Sequence, residues 1–428
     1  MCIRDRPVSR RSRTSGSNRM YLASVERPAA GRADRTKRLA GTVLALGTVS
    51  LITDVSSEMV SAILPLYLIA GLGLSPAVYG LIDGLYTGAT ALLRLVGGYI
   101  ADRARRRKTV AGIGYGLSAV MKFGLLAAGA SVPWISAAII ADRAGKGLRT
   151  APRDALITLS TPDASLGRAF GVHRAMDTAG AFAGPLVALA VLAASGQAYD
   201  SVFVVSGCVA LIGVAVLVLF VRDPRAPRPP SSTVSLGAAF ALLRRRPVRM
   251  LLSGAVLLGL STIGDGFVYL IIQKREAIAT GWFPLLAVGT SLAYLLLAMP
   301  LGNLADRVGR APVVLGGYAA LLAVYLLLGS GFGGPLTVVA ILFLYGVYYA
   351  CTDGVLMALA GPLLPAELKT TGLALVQTGQ ALAYLVSSVL FGLAWQWWDA
   401  NGAIHAFALL AFVMLPVSAV LLRAAREH

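Results

Sequence analysis

Apolar residues run through this chain in blocks too long for the core of a small soluble domain and too unbroken to alternate as half-buried strands. The elements are therefore counted by the length that crosses hydrocarbon, about 20 helical residues. The first half yields stretches at 40–70, 76–100, 109–129, 132–160, 168–194 and 201–221. The second yields 249–272, 281–304, 312–330, 335–364, 371–395 and 402–423. The pattern predicts an all-α polytopic membrane protein with twelve transmembrane helices, arranged as two six-helix bundles at 39–221 and 249–424. Residues 222–248 are Pro-rich and basic and form the expected cytoplasmic linker, with a short surface helix over Ser235–Leu243. Residues 1–38 are rich in Arg, Ser and Pro and hold no apolar run, which excludes a signal peptide. They are expected to be a disordered basic cytoplasmic tail, with Met20 as the natural start.

Composition agrees with this picture. Of 428 residues, 57% are hydrophobic and 14% charged, against about 25% charged in soluble domains. A net charge of +18 would suggest nucleic acid in a soluble chain. Here the cations fall in the gaps between apolar runs and on one side of them: the tail, Arg103–Lys108, Arg149/Arg153/Arg168, the linker, Arg307/Arg310, Lys369 and Arg423/Arg426. That bias places both termini in the cytoplasm and makes the lipid bilayer, not nucleic acid, the partner. On the other side only Gln273-Lys-Arg-Glu276 carries cations. Cys2, Cys208 and Cys351, and His173, His405 and His428, have neither disulfide nor metal spacing. No cofactor is expected, and no nucleophile, base and orienting group can be assembled for an enzyme. Gly112-Ile-Gly114-Tyr-Gly116 lies inside a span and reads as helix packing, and no phosphate-binding loop of the G-x-x-x-x-G-K-[ST] type occurs.

The chain also repeats itself. Gly98-Tyr-Ile-Ala-Asp102-Arg103, followed by Arg105, Arg106 and Arg107, is echoed 204 positions later by Gly302-Asn-Leu-Ala-Asp306-Arg307-Val-Gly309-Arg310. The glycine suits close backbone approach at a short turn. With six plus six spans and a long central loop, this duplicated turn resembles motif A of the major facilitator superfamily, with Arg105 standing in place of a Gly. The resemblance covers everything after the tail. It implies a secondary transporter of a small solute, a bacterial inner-membrane monomer whose bundles rock about a central site lined by spans 1, 4, 7 and 10. By resemblance, Asp102 would meet the start of span 11 near Thr370 and Gly372, and Asp306 the start of span 5 near Gly167. Gly98, Asp102, Arg103, Arg106, Gly302, Asp306, Arg307 and Arg310 would then gate. Gly180-x-x-x-Gly184-Pro185 in span 5 resembles the antiporter-type motif C without its trailing glycines, which tips the expectation toward efflux. Arg143 and Gly147 resemble the core of motif B, with Lys146 where Gln is usual.

A charge at mid-span costs about 2.5–3.5 kcal/mol on insertion scales, so each needs a reason. The first half holds Asp54, Glu58, Asp83, Arg94, Lys122, Asp142, Arg143 and Lys146, with His173, Arg174 and Asp177 at the start of span 5. The second keeps mainly Asp265 and Asp353. Asp54 and Glu58, four apart on one helix face, are candidates for coupling to protons or Na⁺, with Asp142 and Arg143 beside them. The bland alternative is a scaffold in which they pair with Arg94, Lys122 or Arg143. Arg94, Lys122, Lys146, Asp265, Tyr345, Tyr349 and Asp353 are the candidate substrate contacts, and the Lys122, Arg143, Lys146 group would tolerate an anion. His173 and Asp177 share a face and form a candidate pH-sensitive pair. Trp395, Trp397 and Trp398 read as an interfacial belt. The runner-up function is a non-transporting membrane sensor or scaffold on the same fold.

Overall fold

The computed structural model describes residues 41–103, 107–162, 165–221, 242–364 and 369–425, and their side chains except those of 94–103, 151 and 369–371. The tail, most of the linker with its surface helix, the side chains of Arg94, Gly98, Asp102, Arg103 and Thr370, and Arg106 altogether lie outside the described residues.

Every regular element among them is helical. They are α1 (Gly41–Leu66, prolonged by a π turn at Tyr67–Gly71), α2 (Pro76–Arg103), α3 (Arg107–Ala128), α4 (Val132–Leu159), α5 (Leu166–Ala194) and α6 (Tyr199–Phe220) in the first half. The second half has α7 (Arg246–Leu260), α8 (Asp265–Arg275), α9 (Pro284–Val308), α10 (Arg310–Gly329), α11 (Pro335–Thr352), α12 (Val355–Ala360) and α13 (Lys369–Ala424). Among the described residues, nine helical stretches are long and apolar enough to cross a membrane. The 28-residue helices α2 and α4 are also long enough, but Asp83 in one, and Asp142, Arg143, Lys146, Arg149 and Arg153 in the other, spoil their apolarity. Helix α13 folds back at Asp399, whose φ of 75° no helix accommodates. The Asp399 carboxylate then accepts the Gly402 N–H at 2.8 Å and caps the return segment.

Two expected spans are broken. Span 7 becomes α7 and α8, parted at Ser261–Gly264; span 10 becomes α11 and α12, parted at Asp353–Gly354, where Gly354 takes φ 77°. The gap in span 7 frees backbone groups that hydrocarbon cannot solvate. Distant hydroxyls satisfy them: Tyr325 accepts from the Ile263 N–H (2.7 Å) and donates to the Ser261 carbonyl (3.0 Å), Ser387 donates to Thr262 (2.7 Å), and Tyr345 donates to Ile263 (3.0 Å).

In the first half α1 packs on α5 and α6, α3 on α4 and α6, and α2 on α4; in the second α9 packs on α11, α10 on α11 and α13, and α7 on α13. The halves meet along three seams: α2 on α13, α5 on α9, and α8 on α1. Glycines set the closest approach. A Cβ at Gly80 would stand 2.3 Å from the Ser388 carbonyl, and one at Gly392 2.4 Å from that of Pro76. The exposed tryptophans Trp134, Trp282, Trp397 and Trp398 all lie near the same end of the molecule, as an interfacial girdle would. Trp395 does not join them: it packs on Phe267 and Phe391.

Candidate functional site

Helices α3 and α4 approach each other through Gly114 and Gly145, where either Cβ would come within 2.7 Å of the other's carbonyl. One turn on, this contact presses α3 polar groups onto Asp142. Its Oδ1 accepts from Ser118 (2.5 Å) and Lys122 (2.7 Å), and its Oδ2 from Arg143 Nε (2.8 Å) and Nη2. Lys122, Asp142 and Arg143 are 1%, 3% and 2% exposed. Arg143 also lies over the Tyr86 ring, 3.8 Å from its centroid. Asp142, expected to couple an ion, is here held by three fixed donors, and Lys122, expected to touch substrate, is spent on that carboxylate. With two of its three cations so engaged, the expected anion-tolerant group is reduced to Lys146.

Asp54 and Glu58 stand differently. Asp54 reaches Arg149 only at 3.7 Å, while Arg149 stacks over Tyr115 at 4.4 Å. Asp177 of α5 lies within hydrogen-bonding reach of Asp54. Arg153 (3.9 Å) and Arg174 (3.5 Å) flank Asp177, so arginines, not His173, hold it; the buried His173 Nε2 has no hydrogen-bond partner. Lys146 feels both Asp54 and Glu58. No described ion partner stands within 4 Å of Glu58, and neither Asp54 nor Glu58 pairs with Lys122 or Arg143 as the scaffold alternative expected. Gly180 and Gly184 bring α5 flush against this face of α1, their Cβ positions falling 2.4 Å from the Leu51 carbonyl and 2.5 Å from Glu58 Cβ.

A second polar group lies where the halves meet. Asp83 of α2 accepts at Oδ2 from Tyr384 (2.9 Å) and Ser388 (2.7 Å) of α13. Asp265, at the start of α8, accepts from Tyr349 at 2.5 Å. Gly264 lies between them: its Cβ would be 2.6 Å from Asp83 and 2.4 Å from the Tyr384 hydroxyl. Tyr345, expected to touch substrate, is fully buried and spends its hydroxyl on Ile263.

Asp353 belongs to neither group. It accepts from Tyr294 (2.9 Å) in a crevice of about 370 Å³ between α9, α11 and α12, together with Asp306 and Arg310. Asp306 pairs with Arg310 at 3.4 Å, not with the start of α5. Gly302 has nothing within 4 Å of a Cβ position, so close approach is not what it provides here; Arg307 is exposed. At the tryptophan-bearing end, Arg275 pairs with Glu276 at 3.0 Å and donates to the Leu327 and Leu328 carbonyls. Glu276 in turn accepts the Gly334 N–H at 2.8 Å, and that bond, with Arg275, holds its carboxyl below the ordinary range.

The family model described as Major Facilitator Superfamily matches residues 46–282 and 275–428. An uncharacterized MFS-type transporter of Methanocaldococcus jannaschii is 30% identical over 376 residues, covering 85% of this chain and 90% of that one. An uncharacterized protein of Mycobacterium bovis is 38% identical over 191 residues, 44% of this chain and 45% of its own length. Among solved structures, the nucleoside transporter NupG superposes with a TM-score of 0.72 at 16% identity, covering 90% of this chain and 98% of that chain. A D-xylose-proton symporter gives 0.68 at 16% identity, covering 89% and 96%.

Proposed function

Since the chain belongs to the major facilitator superfamily and is a membrane transporter, we propose that it moves a small solute by alternating access, coupled to protons, in the direction of efflux. The halves 39–221 and 249–424 rock against each other across the inner membrane, both termini cytoplasmic. Asp54 and Glu58 carry the coupling proton, with Lys146 and Arg143 setting the field around them; Asp265, Tyr349 and Asp353 face the solute on its path.

One observation carries the coupling assignment. Asp142 has every oxygen bound to a fixed partner, whereas Asp54 has a loose ion contact and a second carboxyl within hydrogen-bonding reach. Two carboxyls that close hold a proton between them more readily than two charges. Efflux is supported by the partial motif C alone, through the seating of Gly180 and Gly184 on the helix that bears Asp54. The test is reconstitution into liposomes with an imposed pH gradient and an internal pH dye, with candidate solutes added in turn. Solute-dependent proton movement is expected, lost in Asp54→Asn/Glu58→Gln with the protein still inserted. Solute flux unchanged in that variant would remove both residues from the mechanism.

A further inference from the structure

Asp83 and Asp265 take no part in the coupling assigned above, yet both lie where the halves meet. Asp83 comes from the first half; its two hydrogen-bond donors, Tyr384 and Ser388, come from the second. Asp265 opens the second segment of the broken span 7, and Gly264 wedges it against Asp83 with no room for a methyl group. Ser388 Oγ also lies 2.9 Å from the Gly80 carbonyl, so its single proton is shared between backbone and carboxylate of α2. Both acids are only partly exposed. Among the described residues no lysine, arginine or histidine lies within ion-pairing distance of either, and the Asp265 charge is felt at Asp83.

The titratable groups around Asp83 are few. Asp265 faces it from α8 and Tyr384 from α13; Tyr79 lies one turn earlier on its own helix. From α4, Arg143 meets α2 a turn further on, over Tyr86, and is already held by Asp142. Closing the halves here therefore withdraws two like charges from water with hydroxyl donors but no described counter-cation, an arrangement whose desolvation hydroxyls do not offset. Opening the seam returns both to water.

From this we infer that closure of the α2–α13 seam is tied to uptake of a monovalent cation, a proton or Na⁺, by Asp83 with Asp265, making Asp83 a further coupling residue. The inference rests on the alternating-access reading and deepens it: ion loading licenses closure at the tryptophan-bearing end, while Asp54 and Glu58 handle the ion on the α1–α5 face. Protonation and substitution by the neutral isostere should act alike, and both should favour the closed seam.

The test needs no substrate. Spin labels at Trp134→Cys and Trp397→Cys, exposed positions of opposite halves at that end, are introduced in a background lacking Cys2, Cys208 and Cys351. Their separation is read by pulsed electron resonance in nanodiscs from pH 5 to pH 9, in choline chloride and in NaCl. The expected result is a short distance at pH 5, a longer population growing toward pH 9, and a short distance at every pH in Asp83→Asn. Suppression of the long population by NaCl at pH 9 identifies Na⁺ as the cation, and suppression by acid alone identifies the proton. A second variant, Tyr384→Phe/Ser388→Ala, removes the cross-half donors and should show the long population already at pH 5. The inference is overturned if Asp83→Asn keeps the wild-type pH response, if acid lengthens the distance, or if the wild type shows one distance throughout. A pH-responsive distance in a protein that moves no solute in liposomes would instead defeat the transport reading and leave this one standing.

Discussion

Replacing Asp142 by Asn should be the most damaging single change in the first half. The carboxylate is 3% exposed and is the shared acceptor for Ser118, Lys122 and Arg143. The amide keeps the volume but loses the charge and turns one acceptor into a donor aimed at cations. Two buried cations are then left without their anion. Breaking a buried ion pair by removing one partner costs about 3–5 kcal/mol, a shift of about two to nearly four orders of magnitude in the unfolding equilibrium. Asp54→Asn supplies the contrast. Its ion contact is a marginal 3.7 Å, and a second carboxyl stands beside it, so loss of attraction and relief of repulsion nearly cancel, within about 1 kcal/mol. The assay is reversible unfolding of the detergent-solubilised protein in mixed micelles with increasing dodecyl sulfate, followed by far-UV circular dichroism. Equal stability of the Asp142→Asn and wild-type proteins would refute the scaffold role given to Asp142 and return it to the coupling candidates.

Three further outcomes follow from the geometry. Gly184→Ala places a methyl 2.5 Å from Glu58 Cβ and 2.9 Å from the Val55 carbonyl, so α5 must back away from α1 and the unfolding midpoint should fall by the equivalent of about 1–3 kcal/mol; Gly302→Ala, mid-helix with open space, should instead raise it by up to about 1 kcal/mol. Tyr325→Phe strips the Ile263 N–H and the Ser261 carbonyl of their shared partner and should cost about 2–3 kcal/mol in the same titration. Glu276→Gln should lower thermal stability at neutral pH. The native carboxyl lies below its ordinary pKa, so its stabilising share is complete above the unfolded value of about 4.3 and is lost as pH falls through the folded one. The melting difference between the two proteins should therefore close below about pH 4.

The spans were legible because each is set by a local quantity, an apolar run about as long as hydrocarbon is thick. Breaks in them were not. Ser261-Thr-Ile-Gly264-Asp265 contains no proline, and the hydroxyls that make its unwinding tolerable come from residues 62, 82 and 125 positions away. Pairing of the charges was equally invisible: helical spacing shows that Asp54 and Glu58 share a face but not which arginine meets it, and it is Arg149. In the sequence Asp83 is one mid-span charge among many. A signal for it did exist, in Gly80, Gly84 and Gly88 at four-residue spacing, the stripe that lets another helix lie against backbone. An acid inside such a stripe must end up in a helix contact.

That observation bears on why the halves differ so much in charge. If ions alone explained the asymmetry, the acids of the first half would all lack fixed partners, yet Asp142 is locked by two cations in a dry contact. The second half solves a similar problem without charge: where span 7 is broken, tyrosine and serine hydroxyls satisfy the backbone that buried ions would otherwise have to meet. Charge in the first half is therefore of two kinds: one set holds α3 against α4, and the other, Asp54, Glu58 and Asp83, has among the described residues no ion contact closer than the 3.7 Å from Asp54 to Arg149. Only the second set is available to a moving ion, and it includes an acid, Asp83, whose hydrogen-bond donors belong to the opposite half. On the proposed mechanism, rocking of the halves makes and breaks those bonds, and the residues assigned to the ion and those that follow the motion meet at that carboxylate.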